Sequence, residues 1–399
     1  MQRLQILATQ HQKHLQNKKH MVRLFVPILL ISLGLLSDLY IFHRYINTSS
    51  TWRWTWWAPS IIVIGFFIKF LFFNRGWAEE YSTTNIFLLI MTLVCIPKMI
   101  FALLSLIPKI GTYIGLAAGT GIVWIILWGI TWGFLQFKIK EITVESEYVP
   151  KSFDNYRTVQ FSDAHVGSFY GPYKHLLQES IDSINKLKPD MVCFVGDIEN
   201  FTPEELEKHK HAFSSLRARD GVFSIMGNHD YSSYIKVTDR ERAASVERTR
   251  NMQRSFGWQL LENENRIIKR CNDSIIVVGE ENWGKPPFPQ YGNLKKALQG
   301  VDKNSFTVML SHDPTAWKAH ILPVFTPDIT LSGHTHGTQF SIFGWSPSSM
   351  VYDEWGGLYK MNANGKNCIL NVSTGIGGNF PFRFGMPREA VVITLKHKK

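Results

Sequence analysis

Two patterns of apolar residues divide this chain. Up to about residue 140, the apolar residues form four long runs, each close to the ~20 residues that a membrane-spanning helix requires. The runs cover Leu24–His43, Trp56–Phe73, Asn85–Ile107 and Thr112–Phe137. Beyond them, the apolar runs are short and are separated by turn and helix signals. The pattern therefore predicts four transmembrane helices within residues 24–137, followed by a globular domain.

The charges of the loops predict the orientation of these helices. Lys and Arg concentrate in residues 1–23, at Arg75 and just after the fourth run, whereas only Arg44, Arg53 and Lys109 fall on the opposite side. Basic loops stay on the cytoplasmic side of a membrane, so we expect residues 1–23 to form a basic cytoplasmic tail. An even number of spans then places the globular domain of this multi-pass integral membrane protein on the cytoplasmic side as well.

Two charged residues lie inside the apolar runs. Asp38 belongs to the first run and Lys98 to the third, next to Pro97. Ionisable groups deep in a membrane are costly and are usually paired with each other. We therefore hypothesise that Asp38 and Lys98 form an ion pair.

Short apolar strands alternate with helices in the second part of the chain, which is typical of an α/β domain. We interpret residues 138–151 as a connector and residues 152–399 as the domain. Strands are predicted at Thr158–Phe161, Met191–Val195, Val222–Met226, Ile275–Val278, Thr307–Leu310, Ile329–Leu331, Cys368–Val372 and Ala390–Leu395. After the first strand, Leu177, Ile181 and Ile184 recur at helical spacing.

Polar residues that can bind metals follow five of these strands directly. In chain order they are Asp163 and His165, Asp197, the run Asn228-His229-Asp230, His312, and His334 with His336. Open α/β sheets bind their ligands at the carboxyl ends of strands. Singly, each residue has a plain alternative, such as a helix cap for the Asp residues or a core histidine for His312. Together, this mixture of carboxylate, amide and imidazole suits two ions of Mn, Fe or Zn, which would clamp a phosphoryl group and convert a shared water to hydroxide.

Charge and cysteine content narrow the picture only slightly. The chain has 43 Lys and Arg against 32 Asp and Glu, a balance that suits nucleic acid, anionic lipid or a phosphorylated substrate alike. Its four cysteines lie far apart, so neither a zinc ribbon nor a disulfide framework is expected. The arginine-rich helix predicted at residues 238–256 is either a solvated face or a basic cap for headgroups or substrate.

These motifs resemble, in order and approximate spacing, those of the calcineurin-like metallophosphoesterases. The resemblance is carried by Asp163-x-His165, Gly196-Asp197, Gly227-Asn228-His229-Asp230, Ser311-His312 and Gly333-His334-x-His336. The segment Phe382-Arg383-Phe384-Gly385 is similar to the branch of that family whose members are tied to membranes. Asp313 and Thr338 depart from the common pattern, which affects the expected substrate preference but removes no ligand.

The resemblance implies a four-layer αββα sandwich that holds two divalent metal ions. One ion would be bound by Asp163, His165 and His336, the other by Asn228, His312 and His334, with Asp197 as the bridge. His229 would act as a catalytic residue that donates a proton to the leaving group or stabilises the phosphoryl oxygens, and Asp230 would orient it.

We therefore expect a membrane-anchored, metal-dependent hydrolase that acts on a phosphomonoester, phosphodiester or pyrophosphate bond at the inner membrane surface. Its partners would be membrane lipids and a phosphorylated substrate, for which a lipid-linked molecule is one option. Two alternatives remain open on the same fold. One is a nuclease, which the absence of a basic-aromatic platform in the sequence disfavours, and the other is a sensor or scaffold without turnover.

Overall fold

The computed structural model of the chain describes residues 25–46, 51–72, 77–235 and 237–398. It separates into two compact units, Met1–Leu127 and Trp128–Lys399. Within the described residues, four helices are long and apolar enough to cross a membrane, as the sequence predicts. They are Phe25–Ile46 (α1), Thr51–Leu71, Thr83–Leu104 and Gly111–Gly133.

The first unit contains α1 and three further helices. These are Ala58–Phe72 (α2), which follows a 3-10 turn at Thr51–Trp57, Trp77–Leu104 (α3) and Gly111–Trp128 (α4), the last of which enters the second unit at Trp128. Apolar side chains such as Val63, Phe87 and Met91 pack into a small core between α1, α2 and α3. The helices are thus held together by side-chain packing, as expected where lipid offers no hydrophobic driving force.

The ion pair hypothesised within this helical unit is confirmed. Lys98 Nζ lies 2.7 Å from Asp38 Oδ1, and Asp38 is fully buried. Ser60 donates a hydrogen bond to the other carboxylate oxygen of Asp38, and the ammonium group lies 4.7 Å from the centre of the Trp56 ring. Each buried charge is therefore matched by an opposite charge or a polar group.

The second unit is built on twelve strands. In chain order they are Phe137–Ser146 (β1), Arg157–Phe161 (β2), Met191–Val195 (β3), Val222–Ile225 (β4), Gln259–Leu260 (β5), Glu264–Arg270 (β6), Asp273–Gly279 (β7), Thr307–Leu310 (β8), Ile329–Ser332 (β9), Gly357–Ala363 (β10), Lys366–Val372 (β11) and Arg388–His397 (β12). They form two six-stranded sheets in the orders β1-β12-β2-β3-β4-β5 and β10-β11-β9-β8-β7-β6. Parallel pairing of β2, β3 and β4 aligns their carboxyl ends, and the same holds for β7, β8 and β9.

Alternate residues along the central strands face opposite layers of the domain. Cys193 and Val195 of β3 pack with Val308 and Leu310 of β8 in the core between the two sheets. Phe194 faces the other way, towards the outer helices Leu176–Lys186 (α5) and Lys210–Ser214 (α6). The second sheet is covered by Leu294–Ala297 (α8). This arrangement is the αββα sandwich that the resemblance implies.

Strand β1 lies in the segment that the sequence predicts as a connector. It pairs in parallel with β12 over its whole length, from Phe137 opposite Arg388 to Ser146 opposite His397. The partner strand lies some 250 residues later in the chain, so no local pattern reveals the pairing. Residues 137–146 are thus an edge strand of the first sheet.

The arginines of the long helix Asp239–Ser255 (α7) make ion pairs with the domain. Arg250 lies 2.7 Å from Glu262 and 2.8 Å from Glu281, and Arg248 lies 2.5 Å from Glu204. These carboxylates offset much of the positive charge of the helix. The structure therefore does not favour the basic cap, and the alternative of a solvated face is modified by these ion pairs, which tie α7 to the domain.

Candidate metal centre

All seven predicted metal ligands lie in loops at the carboxyl ends of strands. Asp163 and His165 follow β2, Asp197 follows β3, Asn228 follows β4, His312 follows β8, and His334 and His336 follow β9. The two sheets pack face to face, so these five strand ends meet at one edge of the sandwich. None of the seven side chains is more than slightly exposed.

The first predicted ligand set is assembled in the structure. The ligand atoms of Asp163, His165 and His336 all lie within 4.8 Å of one another. His165 Nε2 is 3.1 Å from His336 Nε2, and His336 Nε2 is 3.5 Å from Asp163 Oδ1. The residues that follow β2 in the first sheet and β9 in the second sheet thereby converge on one point.

The second set gathers beside the first. Asn228 Oδ1 lies 2.7 Å from His334 Nδ1 and 3.2 Å from His312 Nε2. The amide nitrogen of Asn228 donates to the hydroxyl of Tyr234, which directs the amide oxygen towards the two imidazoles. His312 and His334 also group with Asp197 within 4.8 Å.

Asp197 contacts both sets. Its Oδ2 atom lies 3.2 Å from His312 Nε2 and 3.5 Å from His165 Nε2. A carboxylate in this position can bridge two cations.

The neutral imidazoles of His165 and His336 are in the charge state that metal binding requires. Burial lowers the pKa of His165 to about 3 and that of His336 well below its usual value, so both rings are neutral near pH 7. Their Nε2 atoms nonetheless approach each other closely, an arrangement that a shared cation stabilises. Burial also disfavours a charged His312, yet Asp197 and Asp163 raise its pKa to about 10. The two carboxylates thus favour positive charge at His312.

Five of the seven ligands have a left-handed backbone. They are Asp163 (φ 50°), His165 (φ 39°), Asp197 (φ 60°), His334 (φ 73°) and His336 (φ 53°). Residues other than glycine adopt this region at a cost, and such strain clusters at functional sites. Here the sharp turns direct successive polar side chains inward from the strand ends.

His229 lines a cleft beside the ligands. Its Nδ1 atom is 2.7 Å from the carbonyl oxygen of Asn200. Its ring packs edge-on against His165, with 4.6 Å between ring centres. His229 also groups with His165 and Asp197 within 4.8 Å, so its position is compatible with metal binding as well as with proton transfer.

Asp230 binds main-chain groups. Its carboxylate accepts hydrogen bonds from the N–H groups of Gly227 (2.8 Å), Ile198 (2.8 Å), Asp197 (3.0 Å) and Glu199 (3.3 Å). The carbonyl oxygen of Asn200, rather than Asp230, is bonded to the imidazole of His229. Asp230 therefore fastens the loop after β3 to the turn after β4.

Sequence reasoning did not identify the residues that orient the ligands. Tyr352 is one, since its hydroxyl lies 3.0 Å from His334 Nε2; Asn200, which is bonded to His229, was missed as well. Both occupy irregular loops, where no periodicity marks them. Asp313 Oδ2 lies 3.6 Å from His334 Nε2 and was visible in the sequence only as a departure from the common motif.

The cleft has a volume of about 340 Å³, enough for a phosphoryl group and part of its substituent. Its walls combine the ligand residues with aromatic, polar and aliphatic side chains. Besides the ligands, the lining includes His229, Tyr234, Phe288, Thr338, Gln339, Val351, Tyr352, Asn379 and Phe380.

Comparisons with known proteins agree with this geometry. The family model described as calcineurin-like phosphoesterase matches residues 156–338, which include every ligand named above. The uncharacterized metallophosphoesterase YkuE of Bacillus subtilis is 28% identical over 263 residues, covering 64% of this chain and 84% of that protein. A Danio rerio transmembrane protein with metallophosphoesterase domain is 28% identical over 269 residues, covering 65% of this chain and 57% of the relative. UDP-2,3-diacylglucosamine pyrophosphatase LpxG of Chlamydia trachomatis is 26% identical over 314 residues, covering 65% and 91%.

Proposed function

Because the family model of calcineurin-like phosphoesterases matches residues 156–338, we propose that this chain belongs to that family and hydrolyses a phosphomonoester, phosphodiester or pyrophosphate bond with two divalent ions. The observation that carries this proposal is the buried pair of ligand sets that share Asp197. The mixed nitrogen and oxygen donors suit Mn, Fe or Zn. Bound there, such ions would activate water and withdraw charge from the phosphoryl oxygens.

The residues of the chain would divide the remaining work. Asp163, His165 and His336 would hold one ion, and Asn228, His312 and His334 the other. His229 would face the phosphoryl group, because its Nδ1 atom is engaged by Asn200 and its side chain lines the cleft. In its protonated form, Nε2 could donate the proton that the leaving oxygen requires. Asp230 would act as a positioning residue for Asp197 and Asn228.

We further propose that the enzyme works at the cytoplasmic surface of a membrane on a lipid-linked substrate. Four helices long enough to span a bilayer support the anchorage, and the loop charges support a cytoplasmic domain. The name of the chlamydial relative, a pyrophosphatase of a diacylated sugar nucleotide, supports the lipid option. Anchorage would hold the cleft at a high effective concentration of such lipids.

The mechanism can be tested with bis-para-nitrophenyl phosphate and added Mn. Native full-length protein in detergent should release nitrophenol, and Asp197→Asn and His229→Ala should each lose most of this activity. Asp182→Asn and His211→Ala serve as matched controls, because both side chains are exposed. Equal activity in native protein, Asp197→Asn and His229→Ala would refute the proposed site.

A further inference from the structure

An exposed set of apolar side chains borders the cleft. Phe343 is fully exposed, and Trp345, Met350, Val351 and Phe380 are exposed by between 41% and 78%. We call these five residues the apolar lip. Val351 and Phe380 also line the cleft, so the lip is continuous with the cleft wall. A clustered apolar surface of this kind on a folded domain marks a site of interaction.

The backbone at the tip of the lip is strained. Ile342 and Trp345 pair across a two-residue turn in which Phe343 has φ 50° and Gly344 has φ 81°. Turns with two positive φ angles favour Asn-Gly or Gly-Gly, and a bulky residue there is unfavourable. Phe343 thus occupies a costly position while its ring is exposed to solvent. The ring gains stabilisation only from a contact outside the domain.

The segments next to the lip pack against the end of the fourth candidate span. Phe384 pairs with Phe340, and its ring lies 5.4 Å, centre to centre, from that of Trp128. A Cβ atom at Gly129 would overlap the ring of Phe382, so this ring lies directly against the helix. The span ends at Gly133, which places Trp128 about 7 Å inside it at ~1.5 Å per residue.

The end of a spanning helix lies at the membrane interface. Phe382 and Phe384, which contact the last turns of this helix, therefore lie at the depth of the interface or deeper. Trp132, near the same end of the helix, is 67% exposed, as is usual for the aromatic residues found at that level. The occupant that fits an exposed set of Phe, Trp, Met and Val at this position is the lipid bilayer itself.

We propose that the apolar lip inserts into the interfacial region of the bilayer and guides the apolar part of a lipid phosphoester past Val351 and Phe380 into the cleft. The insertion rests on the position of the lip beside the fourth candidate span, whereas the guidance rests on the phosphoesterase function proposed above. An amphiphilic substrate would keep its chains in the bilayer while its phosphoryl group reaches His229 and the metal ligands. A soluble phosphoester would gain nothing from the lip.

Insertion is tested by measuring depth with a nitroxide label on the full chain in lipid nanodiscs. The label is placed with Phe343→Cys in a Cys271→Ser background, since Cys271 is exposed and the other three cysteines are buried. Asn304→Cys provides the control, because it precedes the amino end of β8, at the edge of the sheet opposite the metal ligands. We expect the label at position 343 to be relaxed by oxygen and shielded from a soluble nickel chelate, with the reverse at position 304. Equal nickel accessibility at both positions would overturn the insertion.

Guidance is tested with two chromogenic probes in the same nanodiscs, hexadecyl and methyl 4-nitrophenyl phosphate. Replacing two exposed lip residues, with Phe343→Asn and Met350→Gln, should lower the ratio of kcat/KM for the hexadecyl ester over the methyl ester about tenfold, since aromatic and methionine side chains lose contact with lipid. The matched control replaces Val324 and Ile267, which are exposed elsewhere, by Asn and Gln and should keep the native ratio.

The outcomes separate the two proposals. Asn suits the positive φ at position 343, so the double variant is expected to fold. A shielded label with an unchanged ratio would overturn guidance and leave insertion standing. If native protein with Mn hydrolyses neither ester, the phosphoesterase proposal and the guidance fail together, while the nitroxide result still decides insertion.

Discussion

Replacing Asp230 with Asn should weaken metal binding. The sequence resemblance implies that Asp230 orients His229, but the structure gives its carboxylate four main-chain N–H partners. Three of these belong to the loop that carries the predicted bridging ligand Asp197, and the fourth belongs to Gly227, directly before Asn228. Loss of the carboxylate should therefore displace two metal ligands and leave the imidazole bonded to Asn200.

The size of the effect follows from the hydrogen bonds. Oδ1 accepts from Ile198 and Glu199, and Oδ2 accepts from Asp197 and Gly227. Asn keeps one of the two oxygens, so its NH₂ group would face two N–H donors. Each lost hydrogen bond to a charged acceptor is worth about 1.5–3 kcal/mol, which gives roughly 3–6 kcal/mol for the pair. If only about 1.5 kcal/mol, half of the lower estimate, weakens metal binding, the affinity already falls about tenfold.

The assay is Mn content after equilibration of the full-length protein in graded metal buffers at pH 8. Burial raises the pKa of Asp230 to about 7, so this pH compares the ionised carboxylate with the amide. We expect Asp230→Asn to need at least about ten times more free Mn for half-occupancy, while the exposed Asp182→Asn behaves as native protein. If Asp230→Asn binds Mn as tightly as native protein but loses hydrolysis, Asp230 does not position the metal ligands, and its role would instead be to orient His229.

Three further outcomes are expected. Gly133→Ala should lower the thermal midpoint by several degrees, because its Cβ would overlap the carbonyl oxygen of Arg383 and overpacking costs about 1–3 kcal/mol; Gly121→Ala, with open space around it, should not. Tyr352→Phe should reduce Mn affinity about tenfold by releasing His334, measured by chelator competition. Reversing one charge of the intramembrane ion pair should deplete the protein from the membrane fraction, and reversing both should restore it; failure of the double swap would count against the pair.

The grouping of the candidate metal ligands was predictable because their signals are local. An apolar run such as Val222–Ile225 marks a buried strand, and the polar residues after it mark the carboxyl end of that strand. In a parallel sheet these ends must meet, so chain order alone brought Asp163, Asp197 and Asn228 together. The four spans were predictable for the same reason, since the apolar thickness of a bilayer fixes their length.

The connections between distant parts of the chain were not predictable. The guanidinium of Arg383 is fully buried and donates hydrogen bonds to the carbonyl oxygens of Thr374, Gly375 and Gly377. A buried arginine is exceptional among charged residues, and composition gives no reason to expect one here. The left-handed turns at five ligands were equally hidden, because Asp and His adopt this region more often than most residues but still only at a minority of their positions.

These hidden contacts extend the second folded unit towards the fourth candidate span. Phe134 is fully buried in its core, and Arg388 donates hydrogen bonds to the carbonyl oxygens of Phe134 and Leu135. The N–H of Arg383 donates a hydrogen bond to the carbonyl oxygen of Gly129, and its guanidinium donates one to the carbonyl oxygen of Gly377. The N–H of Gly377 in turn donates to the carbonyl oxygen of Asp163. The last turns of the fourth span are therefore a folded part of the domain, linked through the tail to the first metal ligand. A fragment cut at residue 138 or 152 would lose core and hydrogen bonds, whereas one that starts at Trp128 keeps them.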